Sequence, residues 1–279
     1  MMRMRNFLNI NQESVGSVAT LKTEDIIGFP VAAEPFEVCL QQIADCLATR
    51  KELKFFACAN PHSLVVAMQD LQFRQALLSA DILVPDGVGI IIASKILGGT
   101  IRRRITGSDV FAAVNEMVDK LKGSVFFLGS TDRNLATIKE RMTRDYPAIQ
   151  ILGTYSPPFK HEFSASDSAA MIEAVNHARP DVLWVGMTAP KQEKWVYQNL
   201  RFLDVGFVGA VGAVFDFYTG RIQRSHLALR RIGLEWLPRL LKEPRRLWRR
   251  NLISNPAFLW HVFRFALLGI IKRQYTIRE

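Results

Sequence analysis

The feature that most constrains this chain is a recurrence of short runs, apolar and rich in β-branched and aromatic residues, each followed by a longer segment of helical period. SVFFLG (124–129) and DVLWVGM (181–187) show no polar alternation in their interiors, and a strand that is apolar on both sides needs cover on both faces. Comparable runs stand at KFFACA (54–59), DILVP (81–85), IQILGTY (149–155) and VGFVGAVG (205–212). Helical patterns begin near His62, Gly89, Thr106, Asp132, Ser166 and Pro190. This alternation predicts an α/β fold built on a mostly parallel sheet with flanking helices.

In such sheets ligands bind beyond the carboxyl ends of the strands, and much of the polar signal falls there. Asn60 follows KFFACA, Asp86 follows DILVP, Gly129 and Ser130 follow VFFL, Thr188 to Gln192 follow VLWVGM, and Gly212 precedes FDF. Each signal has two readings. Asp86, between Pro85 and Gly87, is either a turn residue or a general base at a strand end. RRRITGSD (102–109) is either a solvated charge run with a helix cap at Thr106 or Ser108, or an anion site made of arginine forks and free N–H groups. In MTAPKQEKW (187–195), Pro190 suits the first turn of a helix that holds Lys191, Gln192 and Glu193 at the rim of the sheet.

Several function classes are excluded. VGAVGAVFDF has the spacing GxxGxxFDF rather than GxGxxG and comes late in the chain, which argues against a dinucleotide site. There is no GxxxxGK[ST] and no Asp-x-Asp, so neither a P-loop nor paired carboxylates for Mn²⁺ or Mg²⁺ are expected. Cys39, Cys46 and Cys58 form no CxxC pair, and no histidine completes a zinc site with them; a reduced, intracellular chain without structural metal or cofactor is expected. The N-terminus lacks the apolar core of a secretory signal, and no run reaches the roughly 20 apolar residues of a spanning helix.

Net charge divides the chain. Residues 221–279 carry 14 Lys and Arg against 3 Asp and Glu, whereas residues 1–220 carry 22 against 23. The tail mixes this charge with Trp236, Leu240, Leu241, Leu247 and Trp248, a composition that suits an interfacial helix on anionic lipid. A surface helix pair and RNA binding are the other readings of the same composition. Three segments are expected: a flexible extension over 1–30, an α/β core over 31–220, and a basic amphipathic helical appendage over 221–279, for which membrane docking is the favoured reading.

Taken together, NPHSLVVA, LVPDGVG, RRRITGSD, LWVGMTAPKQE, VGAVFDFYTG and RRIGLEWLPRLLKEPRR resemble the WecG/TagA/CpsF glycosyltransferases, glycosyltransferase family 26, over about residues 30–256. The resemblance implies a Rossmann-like core and a bacterial enzyme that inverts configuration without a metal. Its donor would be a UDP-sugar carrying N-acetylmannosamine, its uronic acid or glucose. The acceptor would be a polyprenyl-diphosphate-linked saccharide of surface or exopolysaccharide biosynthesis, at the cytoplasmic face of the inner membrane, with peripheral attachment through the tail and no nucleic acid partner. A non-catalytic nucleotide- or RNA-binding module is the rival.

Carried over by position, Asp86 resembles the family's base, Arg104 and Gln192 its active-site arginine and glutamine, and Asp216 a nucleotide contact. Asn60, Thr106, Gly107, Asp109 and Gly212 fall in the matching blocks as substrate-binding positions. Arg239, Arg246 and Arg249 match appendage arginines that would stabilise leaving UDP. Cys58 stands where the family usually has Thr, and a thiol is a weaker hydrogen-bonding group.

Overall fold

A computed structural model describes residues 21–50, 52–223 and 248–276. The chain begins with an antiparallel hairpin, β1 (Thr23–Asp25) and β2 (Pro30–Ala32), followed by α1 (Phe36–Thr49). Strand β3 (Lys54–Ala59) leads into α2 (Pro61–Gln69) and α3 (Leu71–Leu78), and β4 (Ile82–Pro85) into α4 (Val88–Ile96) and α5 (Gly107–Lys120). Three further units follow: β5 (Ser124–Gly129) with α6 (Asp132–Asp145), β6 (Gln150–Tyr155) with α7 (Ala165–Ala178), and β7 (Val182–Gly186) with α8 (Lys191–Asn199). Strand β8 (Phe207–Ala210) precedes the short α9 (Val214–Tyr218), and the described chain ends in a π-helical turn, Arg249–Ser254, and the long α10 (Asn255–Thr276).

The main sheet is parallel throughout, in the order β4-β3-β8-β7-β5-β6. Its side chains divide by parity, as the pleat requires. Phe55, Ala57, Phe126, Leu128, Leu183, Val185 and Val208 enter one apolar cluster, which α2, α3, α4, α7, α8 and α10 cover. Phe56, Val125, Phe127, Val182, Trp184 and Phe207 enter the other, under α1, α5, α6 and α9. The absence of polar alternation in SVFFLG and VLWVG is thus explained by a helix layer on each face. Gly209 belongs to this packing: a Cβ there would lie 2.3 Å from the Trp184 ring, so the late GxxG sequence seats an indole against β8.

One feature differs from the sequence reading. The extension expected to run to residue 30 ends earlier, because β1 and its turn are tied to the core. Ile26 and Phe29 are fully buried, and Glu24 accepts hydrogen bonds from the hydroxyls of Ser94 (2.6 Å) and Thr100 (2.7 Å) and from the Ile101 N–H (3.1 Å). At the other end α10 is anchored to the core, since Phe258 and Val262, one turn apart, are 0% exposed in the cluster shared with α2 and α4. Ser254 Oγ lies 2.9 Å from His62 Nδ1 on α2.

Candidate active site

The parallel sheet aims the N-termini of α2, α4, α5, α6 and α8 at one edge, where their unpaired N–H groups favour negative charge. Asp86 stands there directly after β4, partly buried, and its N–H donates to Ala59 O at 2.8 Å, which sets it beside Asn60. Asn60 caps α2: its Oδ1 accepts from Ser63 N at 3.0 Å and Ser63 Oγ accepts from its N–H at 2.9 Å. The RITG segment joins the same corner through Ile105 N–H to Pro85 O, 2.8 Å, so that partly buried Arg104 and the start of α5 flank the end of β4.

Of the two readings of RRRITGSD, the cap is fully formed. Asp109 Oδ2 accepts from the Thr106 N–H at 3.0 Å and from its hydroxyl at 2.7 Å, and the Asp109 N–H returns to Thr106 Oγ1 at 3.2 Å. These two side chains serve each other and fix the helix start. Gly107 brings that start against the centre of the sheet, because its missing Cβ would sit 3.6 Å from Cys58 Sγ and 3.8 Å from Val211 O. Burial holds the Cys58 thiol well above its ordinary range, and the carboxylates of Asp86, Glu193 and Asp109 push in the same direction. Cys58 is therefore a neutral thiol with acidic groups around it.

The β7–α8 junction forms the opposite wall, with a cis peptide bond between Ala189 and Pro190. Gln192 is 4% exposed; its Oε1 accepts the Met187 N–H at 3.2 Å and its Nε2 donates to Glu193 Oε1 at 2.9 Å. Gly212 lies against this amide with φ +55°, and a Cβ there would meet Nε2 at 3.3 Å and Oε1 at 3.4 Å. Both the conformation and the close approach call for glycine. Glu193 is also 4% exposed, and burial pushes its carboxyl from 4.5 up to about 7. The loop before α7 folds onto this helix start: Lys191 Nζ lies 4.7 Å from the Phe163 ring centroid and donates to Lys160 O at 2.9 Å.

Asp216 occupies a second polar group, one turn beyond Gly212. Its Oδ1 accepts from Asn134 Nδ2 at 3.2 Å and pairs with Arg221 Nε at 3.1 Å, while Asn134 also donates to Ser130 Oγ at 2.8 Å. Cys58, Asn60, Asp86, Thr106, Gly107, Asp109, Gln192 and Gly212 thus gather at the carboxyl ends of β3, β4, β7 and β8, and Asp216 stands toward α6. Arg239 and Arg246 lie outside the described residues, and Arg249 opens the π-helical turn.

The sequence puts Ser130 at a strand end and Glu193 at the rim of the sheet without a specific role for either, and it does not single out Asn134. For Glu193 a signal existed: the buried stripe of α8, Trp195, Val196 and Asn199, extended back by three and four residues, lands on Gln192 and Glu193. Asn134, in the first turn of a charged helix, reads as solvated until Asp216 is placed beside it.

A doubly wound parallel sheet whose carboxyl edge gathers a carboxylate, a fixed amide and several helix N-termini is the architecture of an α/β enzyme for an anionic ligand. Residues 24–269 match the glycosyl transferase WecG/TagA/CpsF family, and the chain belongs to that family. It is a glycosyltransferase. Among similar proteins, the N-acetylglucosaminyldiphosphoundecaprenol N-acetyl-beta-D-mannosaminyltransferase of Bacillus spizizenii is 32% identical over 210 residues, 75% of this chain and 79% of its own. Proteins of the same name from Bacillus subtilis (25% identical; 85% and 90% covered) and Staphylococcus aureus (24%; 75% and 79%) also match.

Proposed function

We propose that this chain transfers a sugar from a UDP-sugar, N-acetylmannosamine being the donor sugar that the relatives' names favour, to a saccharide linked to polyprenyl diphosphate. The observation that carries the reading is the placement of Asp86 at the meeting of β3, β4 and the start of α5, on the same sheet edge as Gln192 and Gly212. Asp86 takes the proton of the acceptor hydroxyl as its oxygen forms the new bond to the anomeric carbon. The anomeric carbon–oxygen bond to UDP breaks on the opposite side, UDP leaves with the electron pair, and configuration inverts. Arg104, with Arg239, Arg246 and Arg249 of the basic tail, neutralises the leaving diphosphate, a task that otherwise falls to a metal. Asp216, steadied by Asn134 and Arg221, contacts the nucleotide.

The lipid-linked acceptor calls for attachment to a membrane surface. No helix among the described residues is long and apolar enough to cross a membrane. Opposite Phe258 and Val262, the π-helical turn and α10 present Leu252 (59% exposed), Trp260 (67%), Phe263 (52%) and Leu267 (60%), which supports peripheral docking on a membrane surface.

The reading is tested by UDP release from a panel of UDP-sugars, with and without a short-chain polyprenyl-diphosphate N-acetylglucosamine acceptor, in EDTA and mild detergent. Acceptor-dependent release from UDP-N-acetylmannosamine is expected. UDP binding without release from any donor would refute transfer, and release that needs added Mg²⁺ or Mn²⁺ would refute metal independence.

A further inference from the structure

The first turn of α8 holds two adjacent buried polar side chains, of which the proposed chemistry uses one. Glu193 Oε1 accepts the Gln192 amide at 2.9 Å, whereas Oε2 is buried and has no hydrogen-bond partner among the described residues. An ionised carboxylate in that position loses more by dehydration than the Gln192 and backbone hydrogen bonds return, so burial keeps the proton on up to about pH 7. The oxygen that does have a partner is Oε1.

That oxygen acts on Gln192. The two ends of a glutamine amide have nearly the same shape, and what separates them is hydrogen bonding. The Met187 N–H requires an oxygen at one end, Glu193 Oε1 takes the nitrogen at the other, and Gly212 admits the amide against its backbone. With both bonds made, the second hydrogen of Nε2 has no acceptor among the described residues. We infer that Glu193 is the positioning residue of Gln192, holding its amide in the one orientation that leaves an N–H for an oxygen of the bound donor, a sugar hydroxyl or a phosphate. The inference rests on the reading of Gln192 as a site residue, and Glu193 acts through Gln192 without touching substrate itself.

A double-mutant cycle tests it, with Glu193→Leu, which fills the volume and removes the acceptor, Gln192→Ala, and the pair together. Glu193→Ala takes the place of the leucine variant where the latter fails to fold. Glu193→Leu is expected to lower kcat/KM for the UDP-sugar by about tenfold or more, with little further loss in the Gln192→Ala background, since residues acting as one unit are not additive. Glu193→Gln, which restores the acceptor, is expected to recover most of the loss. Additive losses, or full activity of Glu193→Leu beside an impaired Gln192→Ala, would overturn the positioning role. A fully active Gln192→Ala would refute the site reading, and the role of Glu193 with it. If the wild type transferred no sugar, the proposed function would fail, and a crystal structure of Glu193→Leu would still decide: a turned or disordered Gln192 amide supports the inference, an unchanged one overturns it.

Discussion

Glu193 makes the stability of this protein depend on pH in a way that a single isosteric substitution removes. Its carboxyl titrates near 4.5 when unfolded and at about 7 in the folded chain, because burial disfavours the charged form. Between these values the folded state keeps a proton that the unfolded state has released, so stability falls as pH rises through the window and is fully present only below it. At about 1.4 kcal/mol per tenfold change in proton affinity, the whole interval is worth about 3 kcal/mol. The group is 4% exposed, so solvent screening reduces this little. Glu193→Gln is neutral at every pH and lacks the effect. Urea unfolding of both proteins from pH 4.5 to 8.5 should show the variant gaining on the wild type by about 3 kcal/mol, nearly all of it between pH 5 and 7.5. A constant difference across the range would show that Glu193 is solvated or paired in the folded protein, and the reasoning would fail.

Other outcomes follow from the same structure. Phe258→Ala should destabilise the protein by about 3–5 kcal/mol in chemical unfolding, because the ring is fully buried against the core. For the same reason, deleting residues 221–279 should uncover the core as well as remove the basic tail, and loss of activity in that truncation would not report on the arginines alone. Replacing Trp260 and Phe263 together by Glu should abolish sedimentation with anionic vesicles while unfolding shifts by no more than about 0.5 kcal/mol for each exposed site. Gly212→Ala forces a Cβ to 3.3 Å from the Gln192 amide at a φ of +55°, and should cost about 1–2 kcal/mol of stability together with about a tenfold loss of transfer rate.

The layered sheet was legible because strands buried on both faces leave a plain mark: SVFFLG and VLWVG have no polar face to misread. The cap at Thr106 was legible as one of two readings, since a threonine three residues before an acid is a local signal. The hairpin was not, because β1 reads Thr-Glu-Asp and its anchoring bonds run from Glu24 to Ser94, Thr100 and Ile101, some seventy residues away. Helix α1 carried a readable stripe of Cys39, Leu40, Ile43, Cys46 and Leu47, but its cysteines invite a search for metal or disulfide chemistry before they are seen as small apolar residues. At the site, strand ends placed Asn60, Asp86 and Gly212 correctly at one edge. The tie from Asn134 to Asp216 arises only when distant elements meet, which no local pattern encodes.

The claim on which the mechanism depends most is that Asp86 is the base, and the direct measurement is acceptor-dependent sugar transfer by Asp86→Asn beside its affinity for UDP. The account predicts a rate loss of about 10²- to 10⁴-fold, the usual contribution of a general base, with UDP affinity within about twofold of the wild type. Transfer by Asp86→Asn at close to the wild-type rate would contradict it and would assign that carboxylate to the turn between β4 and α4.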